Sequence, residues 1–320
     1  METSILVTFV LLLATGVRPA KQSRERLCGN PKVEPDISGL SNPDYIDEIK
    51  HPPRSDVEGE GLIVYGRPAI AHSWPWQVLL TVNHHYVHPD TGERLSLGYC
   101  GGSIIDRHHV ITAAHCVSIW WLYLNQSLIP EHVDVYVGLH DSKPVFNTTT
   151  RPVALHPNKI IIYAYHKDFV TDDVALLVFD DAIQFTNHIR PICLPNRPVK
   201  PNTNCYVSGW GNIWKDGHPV QYQGPLRQAM LTIADNSRCF AEAEYKLKGL
   251  MGMRTTREFC SSRHGDPPSN TCNGDSGGPV MCLEDKHWVL HGLVSYGTKT
   301  NCFHGTSYYA KVRMHDFCYI

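Results

Sequence analysis

The chain has 320 residues, of which 42% are hydrophobic and 19% are charged. This balance is typical of globular domains and argues against intrinsic disorder. With 29 basic and 31 acidic residues the formal net charge is −2, so composition gives no indication of binding to nucleic acid or to an anionic membrane surface.

The amino terminus has the pattern of a secretory signal. A short apolar run from Ile5 to Ala14 is followed by small residues such as Gly16 and Ala20, although Glu2 precedes the run where basic residues are usual. The run is too short to span a membrane as a helix. We predict that residues 1–20 are a cleaved signal peptide; the alternative is a buried apolar strand or helix.

The rest of the chain divides at residue 63. Residues 21–62 are rich in proline and acidic residues and have little apolar periodicity, which indicates an extended pro-segment or linker. Residues 63–320 contain short β-prone runs separated by Gly, Pro, Asn and Asp clusters, which predicts an all-β barrel or sandwich. The clearest runs are Trp76 to Val82, Ser103 to Ile111, Val133 to Gly138, Val174 to Phe179 and Val289 to Tyr296. Only Ser237 to Leu247 and the carboxyl end have a helical pattern.

The cysteine content indicates an oxidising compartment. Eleven cysteines with a secretory signal favour a disulfide framework, and the odd number leaves one thiol without an internal partner. Zinc binding is disfavoured because the chain has no CxxC pair. Sequons at Asn125 and Asn147 predict glycosylation of a secreted protein.

Two segments in the first half of the domain are candidates for acid–base chemistry. His115 lies in TAAHC at 112–116, among small residues and beside a cysteine that can fix its loop. Asp173 stands at the entrance of the apolar run VALL, where a buried carboxylate can orient an imidazole and stabilise its cation. Its neighbour Asp172 is interpreted as a solvated turn acid. A structural histidine is the alternative for His115, since the chain has nineteen.

The strongest signal is the segment CNGDSGGP at 272–279. Glycines on both sides of Ser276 let the backbone turn tightly and leave the hydroxyl exposed. A serine hydroxyl is a poor nucleophile at neutral pH and needs a neutral imidazole to accept its proton. A glycine-rich turn without catalytic function is the alternative when this segment is considered alone.

Together the three segments resemble the chymotrypsin family of serine proteases, in which histidine, aspartate and serine occur in that order along the chain. The resemblance extends from about Ile63 to Ile320 through five further motifs: SWPWQV at 73–78, CGGS at 100–103, PICLP at 191–195, SGWG at 208–211 and SYG at 295–297. It implies two six-stranded antiparallel β-barrels with a short C-terminal helix, and a secreted serine endopeptidase that works through an acyl-enzyme.

The resemblance also implies roles for individual residues. His115 is similar to the family's general base, Asp173 to the carboxylate that orients it, and Ser276 to the nucleophile. The backbone amides of Gly274 and Ser276 correspond to the oxyanion hole, which receives the charge that builds on the substrate carbonyl oxygen.

The family's disulfide pattern uses ten of the cysteines. It implies five pairs: Cys28 with Cys193, Cys100 with Cys116, Cys205 with Cys282, Cys239 with Cys260, and Cys272 with Cys302. The first pair would keep the pro-segment attached after activation. Cys318 is left over, either as a free or intermolecular thiol or buried in the last helix.

Activation in this family follows cleavage before an Ile-Val pair, whose new amine inserts beside the acid that precedes the nucleophile. Ile63 matches the new terminus and Asp275 its partner, and burial of the unpaired carboxylate would be costly. The residue before the cut is Leu62, where trypsin-activated relatives carry Arg or Lys. Cleavage therefore requires a protease with an apolar preference, or this enzyme itself.

The position of Ser276 also locates the primary specificity pocket. Asn270 falls at its base, where trypsin-like members have an aspartate, so the resemblance predicts cleavage after uncharged, apolar or mid-sized residues. Ser295, Tyr296 and Gly297 correspond to the substrate-binding strand, and Gly297 leaves one wall open. Ser307 stands where a glycine is common and should narrow the other wall.

We predict no required cofactor and no metal site. His84, His85 and His88, like His108 and His109, are interpreted as surface histidines because no carboxylate or cysteine cluster completes a site. Expected partners are protein or peptide substrates, with protein protease inhibitors as further candidates. The main alternative to an enzyme is a secreted protease-like binding module that remains a zymogen, which the unusual junction at Leu62 favours. A disulfide-built structural protein is a more remote alternative.

Overall fold

The structure is a computed structural model, and it describes the chain in twelve stretches. These are residues 27–37, 66–82, 98–118, 130–147, 149–162, 165, 171–215, 218–220, 222–239, 256–261, 271–297 and 306–313.

The described residues form fifteen strands and little helix. In chain order the strands are β1 Arg67–Pro68, β2 Gln77–Val82, β3 Tyr99–Ile104, β4 His109–Thr112, β5 Val133–Val137, β6 Lys159–Ile162, β7 Ala175–Val178, β8 Asn204–Gly209, β9 Ile213–Lys215, β10 His218–Val220, β11 Arg227–Thr232, β12 Glu258–Cys260, β13 Pro279–Glu284, β14 His287–Gly297 and β15 Ser307–Lys311. Short 3₁₀ turns lie at Ala114–Val117, Pro130–His132 and Lys143–Phe146.

The first half of the domain is an antiparallel sheet of six strands in the order β5-β2-β3-β4-β7-β6. An antiparallel bridge between Val135 of β5 and Leu155, just before β6, brings the two edges of the sheet together. Such closure removes exposed edges and makes the sheet a small barrel filled by side chains. All six residues of β2 are buried; the strand lies between β5 and β3, and its Gln77 also contacts the second half of the domain.

The second half is an antiparallel sheet of seven strands in the order β1-β11-β8-β13-β14-β15-β12. A bridge between Ile233, which follows β11, and Ser261, which follows β12, closes this sheet in the same way. The two-residue strand β1 adds the seventh strand at one edge. Strands β9 and β10 form a separate hairpin.

Contacts between the two sheets are tight. Ser208 of β8 donates a hydrogen bond of 2.6 Å to the side-chain oxygen of Gln77 in β2. Nearby, the buried ring of Trp74, which precedes β2, meets that of Trp288 in β14 edge to face with centroids 4.7 Å apart, and within the second sheet Tyr206 meets Trp288 at 5.3 Å. Edge-to-face aromatic pairs contribute about 0.5–1.5 kcal/mol each beyond the area they bury. The interface between the sheets is therefore a rigid base for the loops at its edge.

Four of the five expected disulfides are present: Cys28–Cys193, Cys100–Cys116, Cys205–Cys282 and Cys239–Cys260. Cys272 is also disulfide-bonded, but Cys302, its expected partner, and Cys318 lie outside the described residues.

Residues 27–37 are the described part of the predicted pro-segment, and they lie against the second sheet without forming a helix or strand. Gly29 donates a hydrogen bond to the Pro191 carbonyl and accepts one from the Trp288 N–H, each at 2.9 Å. Gly29 has a φ of +64°, and a Cβ atom there would lie 2.3 Å from the Trp288 carbonyl oxygen. This close approach requires glycine.

The expected all-β fold with two antiparallel barrels is confirmed, with one more strand in the second sheet than expected. Most predicted runs match single strands to within one or two residues. The run from Ser103 to Ile111 was expected as one strand, but it spans the end of β3, a polar turn and most of β4. Residues 236–239 are helical, as predicted for the segment that begins at Ser237. The expected C-terminal helix lies outside the described residues.

Candidate active site

Two neighbouring strands of the first sheet, β4 and β7, bring His115 and Asp173 close together. His115 lies in the 3₁₀ turn that follows β4, and Asp173 lies just before β7. The two strands are antiparallel neighbours, with Thr112 paired to Ala175. The end of one therefore adjoins the start of the other, although 58 residues separate the two side chains along the chain.

Asp173 is fully buried and accepts three hydrogen bonds. Its Oδ2 atom lies 2.7 Å from Nδ1 of His115 and accepts a 2.5 Å bond from the Ser295 hydroxyl. Its Oδ1 atom accepts a 2.8 Å bond from the backbone N–H of His115. A carboxylate bonded in this way requires a proton on Nδ1 of His115 and leaves Nε2 as the acceptor.

The two groups shift each other's pKa in opposite directions. Burial works to lower the pKa of His115, but the negative charge and hydrogen bond of Asp173 outweigh it and leave the pKa above its ordinary value of 6.5. Burial works to raise the pKa of Asp173, but the charge of His115 and the bonds from His115 and Ser295 leave it below its ordinary value of 3.8. The pair therefore stabilises an imidazolium beside an ionised carboxylate.

Ser276 lies against the segment that carries His115. The Ser276 carbonyl accepts a 2.7 Å hydrogen bond from the N–H of Gly101. Gly101 follows Cys100, whose disulfide to Cys116 fixes the turn of His115. The adjacent Gly277 has a φ of +74° and approaches the Thr112 hydroxyl and the Ala113 N–H so closely that a Cβ atom would lie 2.2 and 2.9 Å from them. The hydrogen bonds of the described residues do not include one between Ser276 and His115, as is common before substrate binds.

The backbone around Ser276 presents two unused donors. Within the described part of the chain, the N–H groups of Asp275, Gly277 and Gly278 each donate to a backbone carbonyl. The N–H groups of Gly274 and Ser276 donate to no described acceptor. Gly274 has a φ of +93°, and a Cβ atom there would lie 2.7 Å from the Tyr99 ring. A pair of free backbone donors beside a serine hydroxyl can bind an anionic oxygen.

Asp275 is a buried carboxylate held by backbone donors. Its Oδ1 accepts from the Gly211 N–H and its Oδ2 from the Cys272 N–H, both at 2.9 Å. Burial raises the pKa of Asp275 to about 7, although the two hydrogen bonds act in the other direction. A Cβ atom at Gly209 or Gly211 would lie within 2.6 Å of this carboxylate, so both positions require glycine. No cationic side chain of the described residues forms an ion pair with it.

Four of the five expected substrate-binding residues lie together on two paired strands. Ser295, Tyr296 and Gly297 end β14, and Gly297 pairs with Ser307 at the start of β15. The buried hydroxyl of Ser307 accepts a 2.8 Å hydrogen bond from Thr271. Asn270 lies outside the described residues, as do Leu62, Ile63 and Asn125.

The structure describes two of the expected surface histidines, His108 and His109. Nδ1 of His109 lies 2.9 Å from Asp106, and Nδ1 of His108 lies 2.9 Å from the Phe179 carbonyl. The group of His84, His85 and His88 lies outside the described residues. Cys100, His115 and Cys116 have potential ligand atoms within 4.8 Å of one another. Both cysteines are in the disulfide, however, and a metal needs thiolates.

The interpretation of Asp172 as a solvated turn acid is wrong. Its side chain is 13% exposed and lies 2.9 Å from Nη1 of Arg257 in an ion pair. Tyr165 was also missed: burial and the charge of Asp173 raise the pKa of Tyr165. The sequence gives no signal for either contact, because the partners are distant along the chain and bear no common motif.

Known proteins with similar sequences support a single family. The family model described as Trypsin matches residues 63–317. The chain is 28% identical to chymotrypsin-C of Rattus norvegicus over 279 residues, which cover 86% of this chain and 85% of the relative. It is 29% identical to chymotrypsin-C of Mus musculus and of Bos taurus, with 75% of this chain and 80% of each relative covered. The chain belongs to the trypsin family of serine proteases.

Proposed function

We propose that this protein is a secreted serine endopeptidase with His115, Asp173 and Ser276 as its catalytic triad. The strongest support is the environment of the Asp173 carboxylate, which is fully buried. It is hydrogen-bonded to His115 twice, by the ring Nδ1 and by the backbone N–H. A structural histidine does not need a buried carboxylate at this cost. The side chain of His115 is 30% exposed, so a substrate can reach its other edge.

The chemistry follows from these positions. Nε2 of His115 accepts the proton of the Ser276 hydroxyl while the oxygen attacks the substrate carbonyl carbon. The resulting imidazolium is stabilised by Asp173, and it then protonates the leaving amine to give the acyl-enzyme. Water, activated by the same imidazole, releases the acid and restores the serine.

The amides of Gly274 and Ser276 are proposed to bind the oxygen that becomes negative during attack. Their N–H groups lie on either side of Asp275, and neither donates to an acceptor in the described chain. Removal of one donor of this kind raises the barrier by about 2.7–4 kcal/mol in a serine protease of unrelated fold. Their arrangement depends on the Asp275 side chain, since its oxygens hold Cys272 and Gly211 in place.

Activation is proposed to occur by cleavage between Leu62 and Ile63. Asp275 supports this proposal because it is a buried acid without a cationic partner among the described residues, and burial raises its pKa to about 7. A new amine at Ile63 would supply the missing charge, ionise the carboxylate and fix the loop that carries Gly274. The disulfide Cys28–Cys193 would keep the released segment attached.

The specificity pocket is proposed to take uncharged side chains. Ser307 is buried on the pocket strand β15 and bonded to Thr271, which directly follows Asn270. A hydroxyl and an amide provide no counter-charge for a lysine or arginine side chain. Exposed Gly297, paired to Ser307, adds no side chain to the opposite wall.

Secretion is proposed from the signal pattern at residues 1–20 and from the disulfides, which form in oxidising compartments. Asn147 is exposed at the end of a 3₁₀ turn, which supports its proposed glycosylation. Among the residues that the structure describes, we find no helix with the length and hydrophobicity of a membrane span.

The full chain with Leu62→Arg, secreted from cultured cells and cleaved with trypsin, provides the test. We expect hydrolysis of chromogenic peptides after cleavage, little before it, and none above background in the matched Ser276→Ala chain. A cleaved chain that hydrolyses no peptide, while retaining a cooperative thermal unfolding transition, would support the protease-like binding module instead.

A further inference from the structure

Two consecutive residues of the second sheet contact the two segments that surround Asp173. Arg257 directly precedes β12, and its Nη1 lies 2.9 Å from Oδ1 of Asp172. Glu258 begins β12 and accepts a 3.2 Å hydrogen bond from the hydroxyl of Tyr296. Asp172 precedes Asp173, and Tyr296 follows Ser295, which donates a bond to Asp173. The start of β12 therefore contacts a chain neighbour of Asp173 and a chain neighbour of Ser295, its hydrogen-bond donor.

The backbone at Asp172 needs such support. Asp172 has a φ of +56°, in the left-handed region that most residues avoid. The N–H of Val174 donates to the Asp172 carbonyl at 2.7 Å and closes a tight turn around Asp173. Because the turn is so short, the direction of the Asp173 side chain depends on the conformation of Asp172.

The ion pair is placed where it can hold that conformation. The side chain of Asp172 is 13% exposed and that of Arg257 is 32% exposed, so water screens this pair less than one on the open surface. It also links the two halves of the domain, because Asp172 precedes β7 of the first sheet and Arg257 precedes β12 of the second.

Arg257 is itself anchored. Its carbonyl accepts a 2.8 Å bond from the N–H of Lys311, and Glu258 pairs with Ala310 on β15. The disulfide Cys239–Cys260 fixes the other end of β12. Because its strand is held at both ends, the Arg257 side chain can fix the position of the turn at Asp172.

We propose that Arg257 is a positioning residue for catalysis: through its ion pair with Asp172 it holds the turn that directs the Asp173 carboxylate at His115. Glu258 contributes through the hydrogen bond from Tyr296, which follows Ser295, the donor to Asp173. This inference rests on the proposed function, since Arg257 acts on the imidazole only through Asp173.

The test compares Arg257→Gln, Arg257→Lys and Asp172→Asn in the cleaved chain. Asn tolerates the left-handed backbone at position 172, so Asp172→Asn removes charge without a steric change. Arg197→Gln is the matched control, because Arg197 forms a 3.6 Å ion pair with Glu284, is 64% exposed and contacts no residue of the triad. We expect kcat to fall about tenfold in Arg257→Gln and Asp172→Asn with KM within about twofold, an intermediate value in Arg257→Lys, and no change in the control.

A second readout is the titration of the His115 ring, followed by NMR in the same variants on a Ser276→Ala background. Asp173 is the charged group next to His115 in the described chain, and the charge of Asp173 also acts on the hydroxyls of Tyr165 and Tyr296. A loosened carboxylate stabilises the imidazolium less, so the midpoint should move down by about 0.5 pH unit. This readout does not require turnover, and it remains informative if the chain hydrolyses no peptide and the proposed function fails.

Unchanged kcat and an unchanged His115 midpoint in both Arg257→Gln and Asp172→Asn would overturn the proposal. So would a loss of kcat that matches the unfolded fraction while the titration midpoint of the folded molecules stays at the wild-type value.

Discussion

The Ser295 hydroxyl donates a 2.5 Å hydrogen bond to Oδ2 of Asp173, the same oxygen that faces His115. Ser295 lies on the second sheet and Asp173 at the edge of the first, so this bond crosses the interface between the sheets. Such a bond lowers the pKa of Asp173 and fixes the direction of its carboxylate. Ser295 therefore orients the Asp173 carboxylate, in addition to forming part of the expected substrate-binding strand.

Replacing Ser295 with alanine should reduce kcat about tenfold, because a hydrogen bond to a charged acceptor contributes roughly 1.5–3 kcal/mol, only part of which acts in the transition state. KM for small peptide substrates should change less. Ser208→Ala is the matched control, since it removes a buried hydroxyl that donates to Gln77 and not to Asp173. Equal kcat values for the two variants would contradict this role of Ser295.

The pH dependence of kcat/KM should report His115. Hydrolysis needs the neutral imidazole, and Asp173 raises the pKa of His115 above 6.5, so activity should fall with decreasing pH around a midpoint above 6.5. Stability has the opposite sign for this group, because a raised histidine pKa stabilises the fold below the unfolded pKa and loses that contribution as pH rises through the folded pKa. Initial rates between pH 5 and 9 measure the midpoint. Asp173→Asn should lower the rate by about 10⁴; a midpoint at or below 6.5 in the wild-type chain would be inconsistent with the Asp173 contact.

Asp275 should make the uncleaved chain less stable at neutral pH than at acidic pH. Its folded pKa of about 7 lies above the ordinary value of 3.8, so the folded state binds the proton more tightly and stability falls as pH rises through this range. The full difference corresponds to about 4 kcal/mol, of which the interval from pH 5 to pH 8 covers roughly 2.6 kcal/mol. Asp275→Asn in the uncleaved chain should reduce this slope and leave the part that His115 contributes, as measured by urea unfolding at pH 5 and pH 8 with the disulfides intact. Cleavage before Ile63 should also reduce it, and a wild-type chain with no such slope would show that Asp275 is already paired.

The cleavage preference should follow the lining of the pocket. With Asn270, Ser307 and Gly297 as its proposed lining, the cleaved enzyme should cut after uncharged, apolar or mid-sized residues. A peptide library with mass-spectrometric readout measures this preference, and Asn270→Asp should shift cleavage towards lysine and arginine by adding a buried counter-charge. Dominant cleavage after lysine or arginine by the unmodified enzyme would refute the assignment.

Sequence patterns predicted the strands where apolar runs have clear boundaries. Val133 to Gly138 and β5, Val133–Val137, differ by one residue because the glycine ends the run. The turn within the run from Ser103 to Ile111 was not predicted, because the polar residues at 106–108 that interrupt the run are few. In the structure the N–H of His108 donates a hydrogen bond to the Asp106 side chain and closes this turn. A local pattern does not record such a bond.

The candidate site also has features that local sequence patterns predicted and features that they did not. The segments of His115, Asp173 and Ser276 each carry a local motif, and the order of these motifs indicated the family before any geometry was known. Pairwise contacts between distant positions carry no motif: Asp172 and Arg257 are single charged residues among 60 in the chain. Only folding of the two sheets against each other makes them partners.

The most direct test of the central claim is covalent labelling of the cleaved chain with a fluorophosphonate, followed by peptide mapping. An activated serine hydroxyl reacts with this probe, whereas ordinary serines do not. The account predicts one label per molecule on Ser276, a strong reduction in Asp173→Asn, and none in the Ser276→Ala chain. Labelling elsewhere, or no labelling of a folded and cleaved chain, would contradict it.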